Sequence, residues 1–124
     1  MSKTIILSAS VFLALAVVIG AFGAHGLKSH LSDEMLQIYK TGVEYHFYHA
    51  LGLLLVGVLA VVMPSASFKW AAILLSAGII LFSGSLYLLA ITGIKALGAI
   101  TPIGGLSFIA GWVVLFVTVW RNFS

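Results

Sequence analysis

Four long apolar stretches constrain this chain more than any other feature of its sequence. They cover about residues 5–24, 43–63, 70–91 and 103–120, and the first, third and fourth contain no charged residue. A helix needs about 20 mainly apolar residues to cross the hydrocarbon core of a bilayer. The stretches also lack the alternating polarity of transmembrane β-strands. We therefore predict a single all-α integral membrane domain over residues 1–124, built as a bundle of four transmembrane helices.

The composition excludes most other classes of protein. Only 7% of the residues are charged and 62% are hydrophobic, whereas a soluble domain carries about 25% charged residues. The six basic residues are scattered singly along the chain, which argues against a nucleic-acid-binding surface. The absence of cysteine excludes disulfides and thiolate metal sites. We expect the first span to be retained rather than cleaved as a signal peptide, because its apolar run is long for a signal core.

The segment between the first two spans has the signals of a helix start. Ser32 is a good N-cap, and Asp33 and Glu34 follow it at the positive end of the helix dipole. We predict a short interfacial helix here, which either continues into the second span or turns at Gly42. Thr101 and Pro102 are typical of the first residues of the fourth helix.

Small residues at regular spacing indicate where the helices pack closely. Close packing matters in lipid because the apolar solvent gives helices no hydrophobic drive to associate. Such faces serve packing within one chain or a homodimer. The candidate packing residues are Gly20, Gly23, Gly26, Gly84, Gly104, Gly105 and Gly111.

The polar side chains at the start of the second span are the candidate functional residues. At 100° per residue His46 and His49 lie on one face, whereas Glu44 points about 160° away from His46. Three interpretations remain open. The histidines lie at the membrane interface and bond to backbone or headgroups, they line a cavity for an ion, proton or small solute, or they bind a metal such as zinc. No recognised metal-ligand signature is present, so we expect no metal or cofactor.

The aromatic residues near the span ends are expected to act as interface anchors. Trp70, Trp120 and Tyr87 have this position, whereas Trp112 is deeper and is expected to pack between helices. The serines within the spans are expected to serve packing.

Four sequence strings occur in an order that resembles a known family. They are residues 20–27 (GAFGAHGL), 42–51 (GVEYHFYHAL), 81–87 (LFSGSLY) and 100–105 (ITPIGG). They are similar to the YgdD/YwdK-like family of small multi-pass bacterial inner-membrane proteins, which also has mitochondrial relatives. The resemblance implies a bacterial plasma-membrane location and supplies no substrate, reaction or catalytic residue.

The order of the spans places several polar residues near one membrane face. The end of the first span, the start of the second and the start of the fourth all lie there, which suggests a shared polar site. Its candidate residues are His25, Glu44, His46, His49 and Thr101. The basic residues divide equally between the two faces, three on each, so the positive-inside rule does not fix the orientation. We expect cytoplasmic termini.

These observations favour a protein that is not an enzyme and that acts by packing or interaction in the membrane. Its expected partners are the lipid bilayer, further copies of itself or other membrane proteins, with no nucleic acid. The alternative is a small oligomeric transporter, or an ion or proton pathway, that uses Glu44, His46 and His49.

Overall fold

The computed structural model describes residues 1–122, and this part of the chain is helical with no β-strand. Four continuous helical segments are long and apolar enough to cross a membrane, as the sequence predicted. They are Ser2–Leu27, Asp33–Val62, Lys69–Thr92 and Lys95–Asn122. The α-helices within them are α1 (Ser2–Phe22), α2 (Asp33–Val62), α3 (Lys69–Gly78), α4 (Gly84–Thr92) and α5 (Thr101–Asn122).

Two wider π-helical turns interrupt this pattern. Gly23–Leu27 continues α1, and Ile79–Ser83 joins α3 to α4 in one continuous helix. A 3₁₀ segment, Lys95–Ala99, precedes α5. A π-helical turn adds a residue to the helix and therefore changes which side chains face a neighbour.

The start of α2 is fixed by the predicted cap. The Met35 N–H donates to Ser32 Oγ at 3.2 Å, and Asp33 and Glu34 occupy the first turn. The helix then continues without a break through Gly42 to Val62. The predicted interfacial helix is thus the first part of α2 and not a separate element, since no residue there leaves the helical conformation.

The end of α4 depends on a glycine in the left-handed conformation. Gly93 has φ +73°, and its N–H donates to the Leu89 carbonyl at 2.8 Å. This conformation is costly for residues with a Cβ, so Gly93 ends the helix before the Lys95–Ala99 turn.

The four long helical segments pack mainly with the segments next to them in sequence. α1 lies along α2, α5 lies along α3, and α2 also contacts α3 and α4. The middle two long helices are consequently more buried than the outer two. The apolar core lies towards the face that holds the chain termini. It comprises Ile5, Ala9, Ala50, Leu53, Val56, Met63, Phe68, Ala71, Leu75, Ile79 and Phe108.

Candidate functional site

His46 joins three helices by hydrogen bonds in the bundle interior. The residue is only 3% exposed. Its Nε2 lies 2.8 Å from the Phe12 carbonyl of α1, and its Nδ1 lies 2.8 Å from the Tyr87 hydroxyl of α4. A carbonyl only accepts, so Nε2 is the donor, and Nδ1 of a neutral ring accepts from the Tyr87 hydroxyl. His46 is therefore held in one tautomer and one orientation.

Two more hydroxyl groups extend this pattern along α2. The Tyr39 hydroxyl donates to the Ile19 carbonyl of α1 at 2.5 Å, and Ser83 Oγ donates to the Gly42 carbonyl at 2.7 Å. The Tyr39 and Tyr87 rings are in contact, with centroids 5.4 Å apart. We call Tyr39, His46, Ser83 and Tyr87 the polar seam.

Glycines allow the aromatic rings of the seam to approach the backbone. A Cβ at Gly42 would lie 2.8 Å from the Tyr87 ring, and a Cβ at Gly23 would overlap the Tyr39 ring. Real Cβ atoms essentially never approach other heavy atoms so closely. Both positions therefore need a residue without a side chain.

His49 lies in an aromatic environment and not in the seam. It is 7% exposed, and its Nδ1 donates to the Tyr45 carbonyl at 2.8 Å within the same helix. Its ring stacks on Phe108 with centroids 3.5 Å apart and contacts the Trp112 ring. The Trp112 ring also lies against Gly52, so one side of it packs on α2, and the side chain is 40% exposed.

A second pair of hydroxyl groups joins α4 to α5. Ser85 Oγ and Thr101 Oγ1 are 2.6 Å apart, and Ser85 Oγ donates to the Phe82 carbonyl. Because Ser85 has one hydroxyl proton, Thr101 is the donor between them. Ser107 Oγ of α5 donates to the Leu74 carbonyl of α3 at 2.6 Å.

The structure does not gather the predicted site residues around one point. His25 is exposed in the Gly23–Leu27 turn, and Glu44 is exposed in a shallow groove that Lys40 also lines. Among residues 1–122 no hydrogen bond joins either of them to His46, His49 or Thr101. Glu44 is exposed and projects from another face of α2 than buried His46, so these two residues do not line one site.

Metal binding gains no support from the placement of the side chains. Within the described part of the chain, no three histidine, aspartate or glutamate residues lie close enough to hold a metal ion. Both nitrogens of His46 are occupied by the hydrogen bonds described above.

The candidate packing glycines differ widely in how closely they approach other residues. A Cβ at Gly104 would meet the backbone of Phe82, and one at Gly111 would lie 2.9 Å from the Leu75 side chain. Gly20 and Gly105 have looser contacts, and Gly26 faces only Phe22 of its own helix. The prediction that Gly84 is a close-packing residue is wrong, since a Cβ there would meet no atom within 4 Å.

The sequence pattern does not reveal the roles of Tyr39, Ser83 and Tyr87. Its position predicts Tyr87 at the membrane interface, yet its hydroxyl bonds to buried His46. A packing role is expected for Ser83, yet it is a hydrogen-bond donor to another helix. The available signal was the presence of polar side chains within apolar spans, where such groups need partners.

Comparison with known proteins identifies several relatives. Residues 19–105 match the profile of the family described as "Protein of unknown function (DUF423)". The chain is 50% identical to the UPF0382 membrane protein YwdK of Bacillus subtilis over 93% of this chain and 94% of that protein. A UPF0382 membrane protein of Staphylococcus haemolyticus is 46% identical over 96% of this chain and 97% of its own length. No solved structure matches the chain.

Proposed function

The chain belongs to this family of bacterial membrane proteins, described as "Protein of unknown function (DUF423)", and from that premise we propose that it acts by interaction within the membrane, without covalent catalysis. The observation that supports this proposal is that the interior polar groups form hydrogen bonds within the protein. They bond to the protein's own helices and thereby hold the bundle together.

The seam has the chemistry of a structural element. Tyr39 and His46 donate to backbone carbonyls of α1, Ser83 donates to a backbone carbonyl of α2, and Tyr87 donates to His46. Among residues 1–122, every buried side-chain nitrogen and oxygen has a hydrogen-bond partner. These groups would have to break an existing hydrogen bond before they could bind or react with a substrate.

The outer surface is then the part of the molecule that is free to act. Large apolar side chains of α5 point outward, including Leu106, Ile109 and Phe116, each more than 60% exposed. In a membrane this face contacts lipid or another transmembrane helix. Such contacts are the basis of the interaction role that we propose.

Transport receives less support than interaction. The residues proposed for a pathway have different environments, since Glu44 is exposed whereas His46 and His49 are buried and bonded to backbone carbonyls. A relay would need them to face a common path.

Site-specific photo-crosslinking tests the interaction role. We expect a photoreactive amino acid at Leu106 or Ile109 to give one saturable crosslinked product in cells, because these side chains point outward. The same amino acid at Leu75, which is buried, is the matched control and should give none. The proposal fails if neither outer position crosslinks and if reconstituted vesicles show an ion flux that His46→Phe abolishes.

We also propose that the protein lies in the plasma membrane with its termini in the cytoplasm. The terminal face carries Lys3, Lys69 and Arg121, whereas all three acidic residues lie towards the other face. The inner leaflet is rich in anionic lipid and would attract the more positive face.

Cysteine labelling tests this orientation in intact cells. The chain has no native cysteine, so Ser29→Cys and Ser65→Cys, both at exposed positions, introduce single probes on opposite faces. We expect an impermeant maleimide to label only Ser29→Cys until the membrane is opened. Labelling of Ser65→Cys alone would show the reverse orientation.

A further inference from the structure

A surface groove lies between α1 and α3, on the side of the bundle where these two helices have almost no contact. It has a volume of about 570 Å³. Buried Ile5 and Leu53 contribute to its lining, together with the small residue Ala77. Ile73 and Ile80 also line it and are exposed. Exposed apolar side chains on the outside of a membrane protein contact lipid. The groove, which is bordered by Ile73 and Ile80, is therefore open to lipid.

The length of the groove along the helix matches the thickness of one bilayer leaflet. Lys69 and Ile80 both line it and lie three helical turns apart, which is about 16 Å at the rise of an α-helix. Half the hydrocarbon thickness of a bilayer is about 15 Å. The groove therefore begins at the membrane surface on the terminal face and ends near the middle of the membrane, as an acyl chain of that leaflet does.

The open end of the groove carries positive charge. Lys69 lies there beside Trp70, whose indole ring is 5.7 Å from the Lys69 ammonium nitrogen, and both side chains are exposed. Tryptophan at this position is typical of the headgroup region. Thr4 also lines the groove near this end, and its hydroxyl is a hydrogen-bond donor of the kind that the ester carbonyls of a phospholipid accept from.

We propose that this groove is a binding site for an anionic glycerophospholipid. One acyl chain occupies the apolar groove, the phosphate pairs with the Lys69 ammonium, and Thr4 donates to an ester carbonyl. Lys3 and Arg121 lie on the same face, and the three acidic residues lie towards the opposite face. This charge distribution favours an anionic headgroup over a zwitterionic one. The site does not depend on the interaction role proposed above.

Native mass spectrometry of the delipidated full-length protein in detergent tests the site. The probes are phosphatidylglycerol and phosphatidylcholine with identical acyl chains. We expect phosphatidylglycerol to bind about fivefold more tightly than phosphatidylcholine. This is the gain in affinity that one lysine near an anionic headgroup provides. Lys69→Gln should abolish this preference. Lys95→Gln, which removes one charge from the opposite face, is the matched control and should retain it.

A second pair of variants tests the acyl-chain groove separately from the charge. Ala77→Leu places a larger side chain in the groove and should weaken binding of both lipids. Ala14→Leu, at an exposed position of α1 outside the groove, should leave binding unchanged. Glycerol 1-phosphate has the charged group without the chain and should not compete.

Any one of three results would contradict the proposed site. The first is equal binding of the two lipids by the native protein. The others are equal losses in Lys69→Gln and Lys95→Gln, and equal binding by Ala77→Leu and Ala14→Leu. Thermal unfolding of each variant shows whether it is folded. None of these results bears on the crosslinking experiment.

Discussion

The two halves of the bundle are held together in different ways. The polar half contains the seam and the Ser85–Thr101 pair, so hydrogen bonds join α1, α2, α4 and α5. The apolar half lies towards the terminal face, where Leu53, Phe68 and Leu75 are fully buried. The first half uses mainly directional bonds between groups that need partners. The second uses mainly close contact between side chains, with the Ser107–Leu74 hydrogen bond beside it.

The difference follows from lipid as the solvent. Lipid chains compete equally for apolar side chains, so the apolar half gains mainly from packing that is denser than lipid. A hydrogen bond has fixed partners and geometry, so the polar half sets the register in which the helices meet. Each half can be weakened separately by substitution.

The largest expected effect is that of Gly104→Ala, where α5 crosses the helix backbone at Phe82. The new Cβ would lie 2.7 Å from the Phe82 Cα, which is backbone and cannot move aside as a side chain can. We expect the free energy of unfolding to fall by about 3 kcal/mol. Thermal unfolding in detergent measures the loss.

Gly84→Ala is the matched control for this substitution. Its Cβ has open space, and alanine favours a helix over glycine by about 1 kcal/mol, so the melting temperature should stay the same or rise. Equal destabilisation of both variants would show that the close contact at Gly104 is not what matters.

The second effect concerns the apolar half. Leu75→Ala removes a fully buried side chain that lies against Gly111, and we expect a loss of about 2 kcal/mol from the cavity. Leu55→Ala removes the same atoms from a side chain that is 62% exposed and should change stability little. A large loss in Leu55→Ala would contradict the assignment of that face to lipid.

The smallest effect concerns the seam. Tyr87→Phe keeps the ring and removes the hydroxyl that bonds to His46, and we expect a loss of about 1 kcal/mol. Tyr48→Phe, at a side chain that is 57% exposed, is the control. If His46→Phe and Tyr87→Phe have fully additive effects in a double-mutant cycle, the two residues do not interact.

The sequence was sufficient to predict the elements that depend on local signals. Four spans followed from apolar stretches, and the start of α2 at Asp33 followed from the Ser32 cap. The separation of Glu44 from His46 also followed, since it depends only on helical geometry.

The seam could not be predicted because its partners are distant in sequence. His46 and Tyr87 are 41 residues apart, and the Phe12 carbonyl is 34 residues from His46. Which residues meet also depends on the Ile79–Ser83 turn, since its wider spacing places Ser83 opposite the Gly42 carbonyl. A hydrophobic pattern with a fixed period of 3.6 residues does not reveal such a turn.

The uneven distribution of charge also affects how the protein responds to a transmembrane voltage. The terminal face has an excess of three positive charges, and the three basic residues of the opposite face are balanced by three acids. Moving one charge through 100 mV requires about 2.3 kcal/mol, so inverting the molecule against a potential of that size would cost about 7 kcal/mol. In a cell whose interior is negative, the voltage would therefore favour the proposed orientation with cytoplasmic termini, even though the count of basic residues is equal on both faces.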